Sequence, residues 1–177
     1  MKQTEKFLFF YGGFMSQWIE SPFIDYESML VFNTAEQWMM YKKAKYFNDV
    51  HTASLIMETP IPAEQKRLGR RVKGFNDKKW DKVKYNVVYN GNLMKFTQNK
   101  WCYDQLIMTN KLILVEASPT DKVWGIGMSQ DAEGIEDRNN WQGENLLGKA
   151  VMEVRDVLMR CQATLKRLKE KNDILSY

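Results

Sequence analysis

Residues 121–131 read DKVWGIGMSQD. Asp121 offers a charge or a hydrogen-bond acceptor, Trp124 offers a flat face for stacking, and Gly125 and Gly127 allow unusual backbone angles and close approach of a ligand. Together they can hold a planar molecule against a carboxylate. The same four residues also make an ordinary turn beside a core tryptophan, and the segment alone leaves both readings open. A second carboxylate stands out in NTAEQWMMYKKAKYF, where Thr34 and Gln37 form a T-x-x-Q capping box and put Glu36 in the first turn of a helix. The helix dipole favours a negative charge there, so Glu36 serves the helix start, a site, or both. Arg70 and Arg71 follow the end of a third candidate segment, TPIPAEQKRLGRR. The single histidine, His51, has no Cys or second His near it and reads as a surface or cap residue.

The elements that must position these groups are short. FLFFY (7–11) reads as a strand closed by Gly12-Gly13, and FIDYESMLVF as a hairpin turning near Asp25–Ser28. Helices are expected from Thr34, from the prolines at 60 and 62 with Gly69 as the stop, and from Asp77. In the last of these, Trp80, Val83, Val87 and Met94 form one apolar stripe, weakened by Gly91. A helical piece around CYDQLIMT leads to the run Leu112–Val115, a strand buried on both faces, whose exit carries the DKVWGIG segment. Leu147, Val151, Val154, Leu158, Cys161, Leu165 and Leu168 recur at spacings of four and three. They mark a long helix that packs on the core with a protruding end, or pairs with a second chain through the 147–168 seam as a homodimer. The pattern predicts an α+β, helix-rich single domain over 1–177, with a small β-sheet, a core at about 7–160 and a helical C-terminal extension at 161–177.

The chain has 177 residues, enough for one real core. Its hydrophobic fraction of 44% is that of a globular protein, and nothing in it is apolar over the ~18 residues a membrane span needs. Two cysteines without a C-x-x-C spacing suggest neither disulfides nor zinc, which favours a reducing, cytoplasmic setting. The N-terminus lacks the form of a signal peptide. The net charge of +4 lies largely in EQKRLGRRVKG, DKKWDKVK and KRLKEK, which are solvated helix faces or an anion-binding surface.

Taken in order, FYGGFMSQWIESPF, NTAEQWMMYKKAKYF, TPIPAEQKRLGRRV, WDKVKYNVVYNGNLMKFTQN, LILVEASPTDKVWGIG and GENLLGKAVMEVRDVL resemble the NADAR, or YbiA-like, family over about residues 9–158. The resemblance implies an N-glycosidase that hydrolyses a ribose C1–N bond, with ribosylamino-pyrimidine phosphates of the riboflavin route as the first substrate class. ADP-ribose removal from guanine in nucleic acid or nucleotides is the alternative, and a non-catalytic ADP-ribose- or nucleotide-binding module is the reading from another class. Carried over position by position, the family's acidic helix-start residue falls on Glu36, its lysine on Lys45, its Gly-Arg on Gly69 and Arg70, and its helix tryptophan on Trp80. Its D-x-x-W-G-x-G falls on Asp121, Trp124, Gly125 and Gly127, and the Asn and Arg of its last helix on Asn145 and Arg155. Where the family usually has Ser-Asn before an aromatic, this chain has Ser16-Gln17 before Trp18, which bears on substrate identity.

Breaking C1–N develops positive charge on the sugar, so Glu36 and Asp121 are the carboxylates expected at C1, with Trp80 and Trp124 as stacking faces. Trp80 also lies on the apolar stripe of its helix, which suits a core role equally. Arg70 suits a phosphate through its planar fork. Lys45 could attack the imine of an opened ribosylamine. Nine residues from Glu36, however, it falls on the opposite face of a regular helix of about 3.6 residues per turn. No metal cluster or phosphate loop is recognisable, so a metal-free, cofactor-free hydrolase is the simplest account.

Overall fold

The computed structural model describes residues 1–175, with side chains over 1–171. Three strands form the main sheet: β1 (Lys2–Gln3), β2 (Phe7–Phe10) and β5 (Ile113–Glu116). β1 runs antiparallel to β2, and β2 runs parallel to β5, pairing Phe7 with Ile113 and Phe10 with Glu116. A separate hairpin joins β3 (Phe23–Asp25) to β4 (Leu30–Phe32), with Met29 in the left-handed region at its turn. Between β4 and β5 come six helices: α1 (Ala35–Tyr46), α2 (Val50–Glu58), α3 (Pro62–Gly69), α4 (Asp77–Asp81), α5 (Lys84–Gln98) and α6 (Lys100–Met108). After a long loop, α7 (Leu146–Leu175) closes the described chain. The expected α+β, helix-rich architecture is what forms.

Side-chain alternation along β2 and β5 divides the core in two. Leu8, Phe10 and Leu114 meet the helices, with Ile56, Val88, Phe96, Leu106, Val151 and Val154, while Phe7, Phe9, Val115 and Ala117 face a smaller cluster with Ile126 and Ile135. Covering both faces explains why FLFF is apolar without a break. α1 lies deep among the other helices and is buried at every position from Ala35 to Met40, which is why its sequence shows no clean amphipathic stripe.

Two expectations need correction, and a third holds for a different reason. The helix read from Asp77 is two helices, broken at Lys82–Val83, and Trp80 sits on the first, buried in the main core. α3 does end at Gly69, but without a left-handed turn: a Cβ there would run into the Met40 side chain, so the glycine lets α3 press against α1. Of the apolar stripe along the long helix, Leu147, Val151, Val154 and Leu158 are buried and pack on this chain's own core, whereas Cys161, Leu165 and Leu168 are exposed. The seam open to a second chain is therefore confined to the end of that stripe.

Candidate active site

Thr34 caps α1, its hydroxyl oxygen accepting the Gln37 N–H at 3.0 Å. The Gln37 side chain accepts from the Asn33 N–H at 2.8 Å and donates to the Ile56 carbonyl at 3.0 Å. Thr34 and Gln37 thus complete the cap, leaving the Glu36 side chain with no part in it. Glu36 donates its backbone N–H to the Gln17 carbonyl at 2.9 Å and is only 5% exposed. Loss of hydration pushes its carboxyl up to about 7; Lys66, a hydrogen bond from Trp18, and Arg70 pull the other way, and the charge of Asp121 adds to the rise. A buried carboxyl poised near neutrality among fixed charges is a group able to exchange a proton.

α1 stays helical through Tyr46, so Lys45 cannot swing round to Glu36, and it is exposed. The structure does not bring the two together. Lys43, seven residues from Glu36 and so about two turns along the same face, takes that position. Its amine lies 3.9 Å from the Phe75 ring centroid, and burial pushes its pKa down, against the opposing charge of Asp77 and of Glu36. Arg70 is exposed at the end of α3 and acts electrostatically on both Glu36 and Lys43. Lys66, on α3, stands with its amine 5.7 Å from the Trp18 ring centroid.

The other wall is the exit of β5. The Asp121 Oδ1 accepts the N–H groups of Val123 and Trp124 at 2.9 and 2.8 Å, an Asx turn. Asp121 therefore shapes the loop and also adds negative charge to the site. Gly125 is required by close approach, since a Cβ there would lie 2.8 Å from the Glu116 carbonyl oxygen, and Gly127 sits at φ 68. Trp124 is half-buried against the main core. The Asn145 side chain is fully engaged: it accepts the Glu116 N–H at 2.9 Å and donates to the Leu114 carbonyl at 3.0 Å. Asn145 holds the strand rather than reaching toward a ligand.

Glu116, unread in the sequence, shares the helix-facing side of β5 with Leu114 by the two-residue period. Burial pushes its carboxyl up to about 8, aided by Asp121 and Glu36 and opposed by Lys66. Glu36, Glu116 and Asp121 thus stand within electrostatic reach of one another, with Lys43, Lys66 and Arg70 as the balancing cations. Trp80, 6% exposed in the main core with the Tyr46 ring 6.2 Å away, has little face left for a base. Trp18, 44% exposed, has one. At the Ser16-Gln17 departure, the Gln17 amide oxygen accepts from Asn92 at 3.1 Å, one residue before Trp18. Arg155 is also structural, donating to Thr109 and the Leu112 carbonyl.

A cleft of about 290 Å³ lined by Trp18, Glu20, Asn33, Thr34, Pro60 and Pro62 borders this cluster. A larger groove of about 490 Å³, at Lys6, Lys111 and Ile113, lies at the opposite ends of β2 and β5 and contains none of the raised carboxyls. The convergence of titratable groups marks the carboxyl ends of the parallel strands as the candidate site.

Residues 9–159 match the NADAR domain. N-glycosidase R617 of Acanthamoeba polyphaga mimivirus is 41% identical over 166 residues, covering 87% of this chain and 97% of that protein. The maize (Zea mays) chloroplastic riboflavin biosynthesis protein PYRR is 33% identical over 133 residues, 71% of this chain and 20% of that much longer protein. The NMR structure of the E. coli protein YbiA superposes with a TM-score of 0.73 at 24% identity, covering 92% of this chain and 90% of that one, which shows a common fold. The chain belongs to the NADAR family, whose mimiviral member above is named an N-glycosidase, a hydrolase of N-glycosyl bonds.

Proposed function

We propose that this chain is an N-glycosidase that hydrolyses the ribose C1–N bond of a ribosylamino-pyrimidine phosphate. The observation that carries the reading is Glu36: a buried carboxyl excused from helix capping, held near neutrality, and faced by Lys43, Lys66, Arg70 and Asp121. The names of the mimiviral and maize relatives support the bond class and the riboflavin connection respectively.

In this account a ribosylamine opens to its imine, and the amine of Lys43, whose charged form burial disfavours, adds to C1. The base nitrogen departs with its bonding pair and a proton, leaving an imine between Lys43 and the sugar. Glu36, as carboxylate, takes a proton from the water that hydrolyses this imine and frees the lysine. Arg70 and Lys66 hold the 5′-phosphate, and Trp18 supplies the exposed stacking face.

The test is to incubate the protein with ribosylamino-pyrimidine phosphate and, separately, with ADP-ribosylated guanosine, and to measure released ribose 5-phosphate and ADP-ribose. Turnover of the first at the higher kcat/KM is expected. Preference for the second would move the substrate to the ADP-ribosyl class while keeping the bond. Tight binding without product from either would leave a binding module.

A further inference from the structure

Glu116 has no part in the steps assigned to Lys43 and Glu36. Glu116 ends β5, and its backbone is pinned on both sides: the N–H donates to Asn145 at 2.9 Å, and the carbonyl accepts from Ile126 at 2.9 Å. The next residue, Ala117, donates its N–H to the Phe10 carbonyl at 2.7 Å. The backbone that carries the side chain is therefore fixed, while the carboxyl itself is not. The Oε2 of Glu116 is sealed from solvent and has no hydrogen-bond partner among the described residues. A buried polar atom left unpaired costs about 1–3 kcal/mol, and such a cost is ordinarily tolerated where the atom meets a ligand.

The charged groups facing it come from three elements: Glu36 on α1, Lys66 on α3, and Asp121 on the loop after β5. Two of these are carboxyls whose charge Glu116 feels as a like charge, which favours the neutral form of Glu116.

From this geometry we infer that Glu116 is a further catalytic residue of the C1–N cleavage, the acid that protonates the departing base nitrogen. The inference rests on the N-glycosidase reading and deepens it. As the C1–N bond breaks, its electron pair goes to the nitrogen, which takes the Glu116 proton, while the lone pair of Lys43 forms the imine to C1. That imine is formed protonated, and its hydrolysis consumes one water and releases one proton, which returns to the Glu116 carboxylate by way of Glu36. The sum is one water added across C1–N, with both carboxyls restored. Glu116 is held neutral up to about pH 8 and Glu36 becomes a carboxylate above about pH 7, so the two occupy their required states together in the interval between.

The experiment compares wild type, Glu116→Gln and Glu116→Ala on ribosylamino-pyrimidine phosphate across pH 5.5 to 9.5, by steady-state kinetics and with thermal unfolding as the check on folding. Glutamine keeps the shape of the neutral acid and cannot give up a proton, so kcat is expected to fall about 10²-fold or more with KM little changed and the alkaline limb removed. Acetate or formate is expected to restore part of the rate to Glu116→Ala, whose cavity admits a small acid. A Gln variant that turns over as the wild type does, with its alkaline limb intact, overturns the assignment alone. So does a loss in the Ala variant that no carboxylic acid relieves, which would mark a purely structural residue. A wild type that cleaves no N-riboside overturns the N-glycosidase reading, and this assignment with it.

Discussion

At the scale of single residues, the chemistry turns on which lysine shares a face with Glu36. Sequence spacing already placed Lys45 half a turn away, and the helix running unbroken to Tyr46 makes that separation real. Lys43 was legible by the same arithmetic, since seven residues bring a side chain back to within about 20° on a 3.6-residue helix. It was obscured by the run of three lysines among four residues at 42–45. Borohydride added during turnover is expected to leave a sugar phosphate on Lys43, with the adduct lost in Lys43→Ala and retained in Lys45→Ala. An adduct confined to Lys45, or none from an enzyme shown to be turning over, would reject Lys43 as the attacking amine. Glu116 had a weaker signal. It ends an otherwise apolar strand, and nothing in sequence tells a solvated strand end from a carboxyl enclosed by helices that arrive from 80 residues upstream.

At the scale of elements, most of the framework could be read directly because its signals are local. The Thr34 cap, the β3–β4 hairpin and the β5 run obey short-range rules and form as expected, β5 one residue later than its apolar run. What could not be read is what the elements press against. Gly69 ends α3 as read, but its close contact with Met40 was not legible, and Asn145 resembles a ligand contact until both ends of its amide are found on β5. Asn145→Ala should therefore destabilise the fold, because it leaves the Glu116 N–H and the Leu114 carbonyl unpaired and puts alanine at φ 54. Denaturant unfolding is expected to show a loss of about 1–3 kcal/mol or more. A neutral substitution with reduced substrate affinity would instead return Asn145 to the binding surface.

For the whole molecule, the buried titratable groups couple folding to pH. Glu36 and Glu116 both bind protons more tightly folded than unfolded, rising from 4.5 to about 7 and about 8. Each contributes stability that is fully present below 4.5 and is lost as pH rises through those folded values. Lys95 is fully buried, donates to the Ser16 carbonyl at 2.7 Å, and is pushed down from 10.5 to about 7, mainly by burial. Its contribution has the opposite sign, present above 10.5 and lost as pH falls toward 7. The unfolding temperature is thus expected to fall between about pH 5 and 7, where only the carboxyls act, and Glu36→Gln with Glu116→Gln should flatten that slope. An unchanged slope in the double variant would show that other groups set it. We also propose that the exposed Leu165 and Leu168 stripe pairs two chains. Changing both to Glu should remove any dimer seen by sedimentation, and a wild type monomeric at high concentration would dismiss the pairing.

The central claim is that Glu36 works at C1 rather than at the helix cap, and Glu36→Gln tests it most directly. Thr34 and Gln37 remain to make the cap, so the variant should fold as the wild type does. Release of ribose 5-phosphate from ribosylamino-pyrimidine phosphate at pH 8, where the wild-type carboxyl is ionised, should fall by about 10²-fold or more. A folded Glu36→Gln protein that releases ribose 5-phosphate at the wild-type rate would contradict the account.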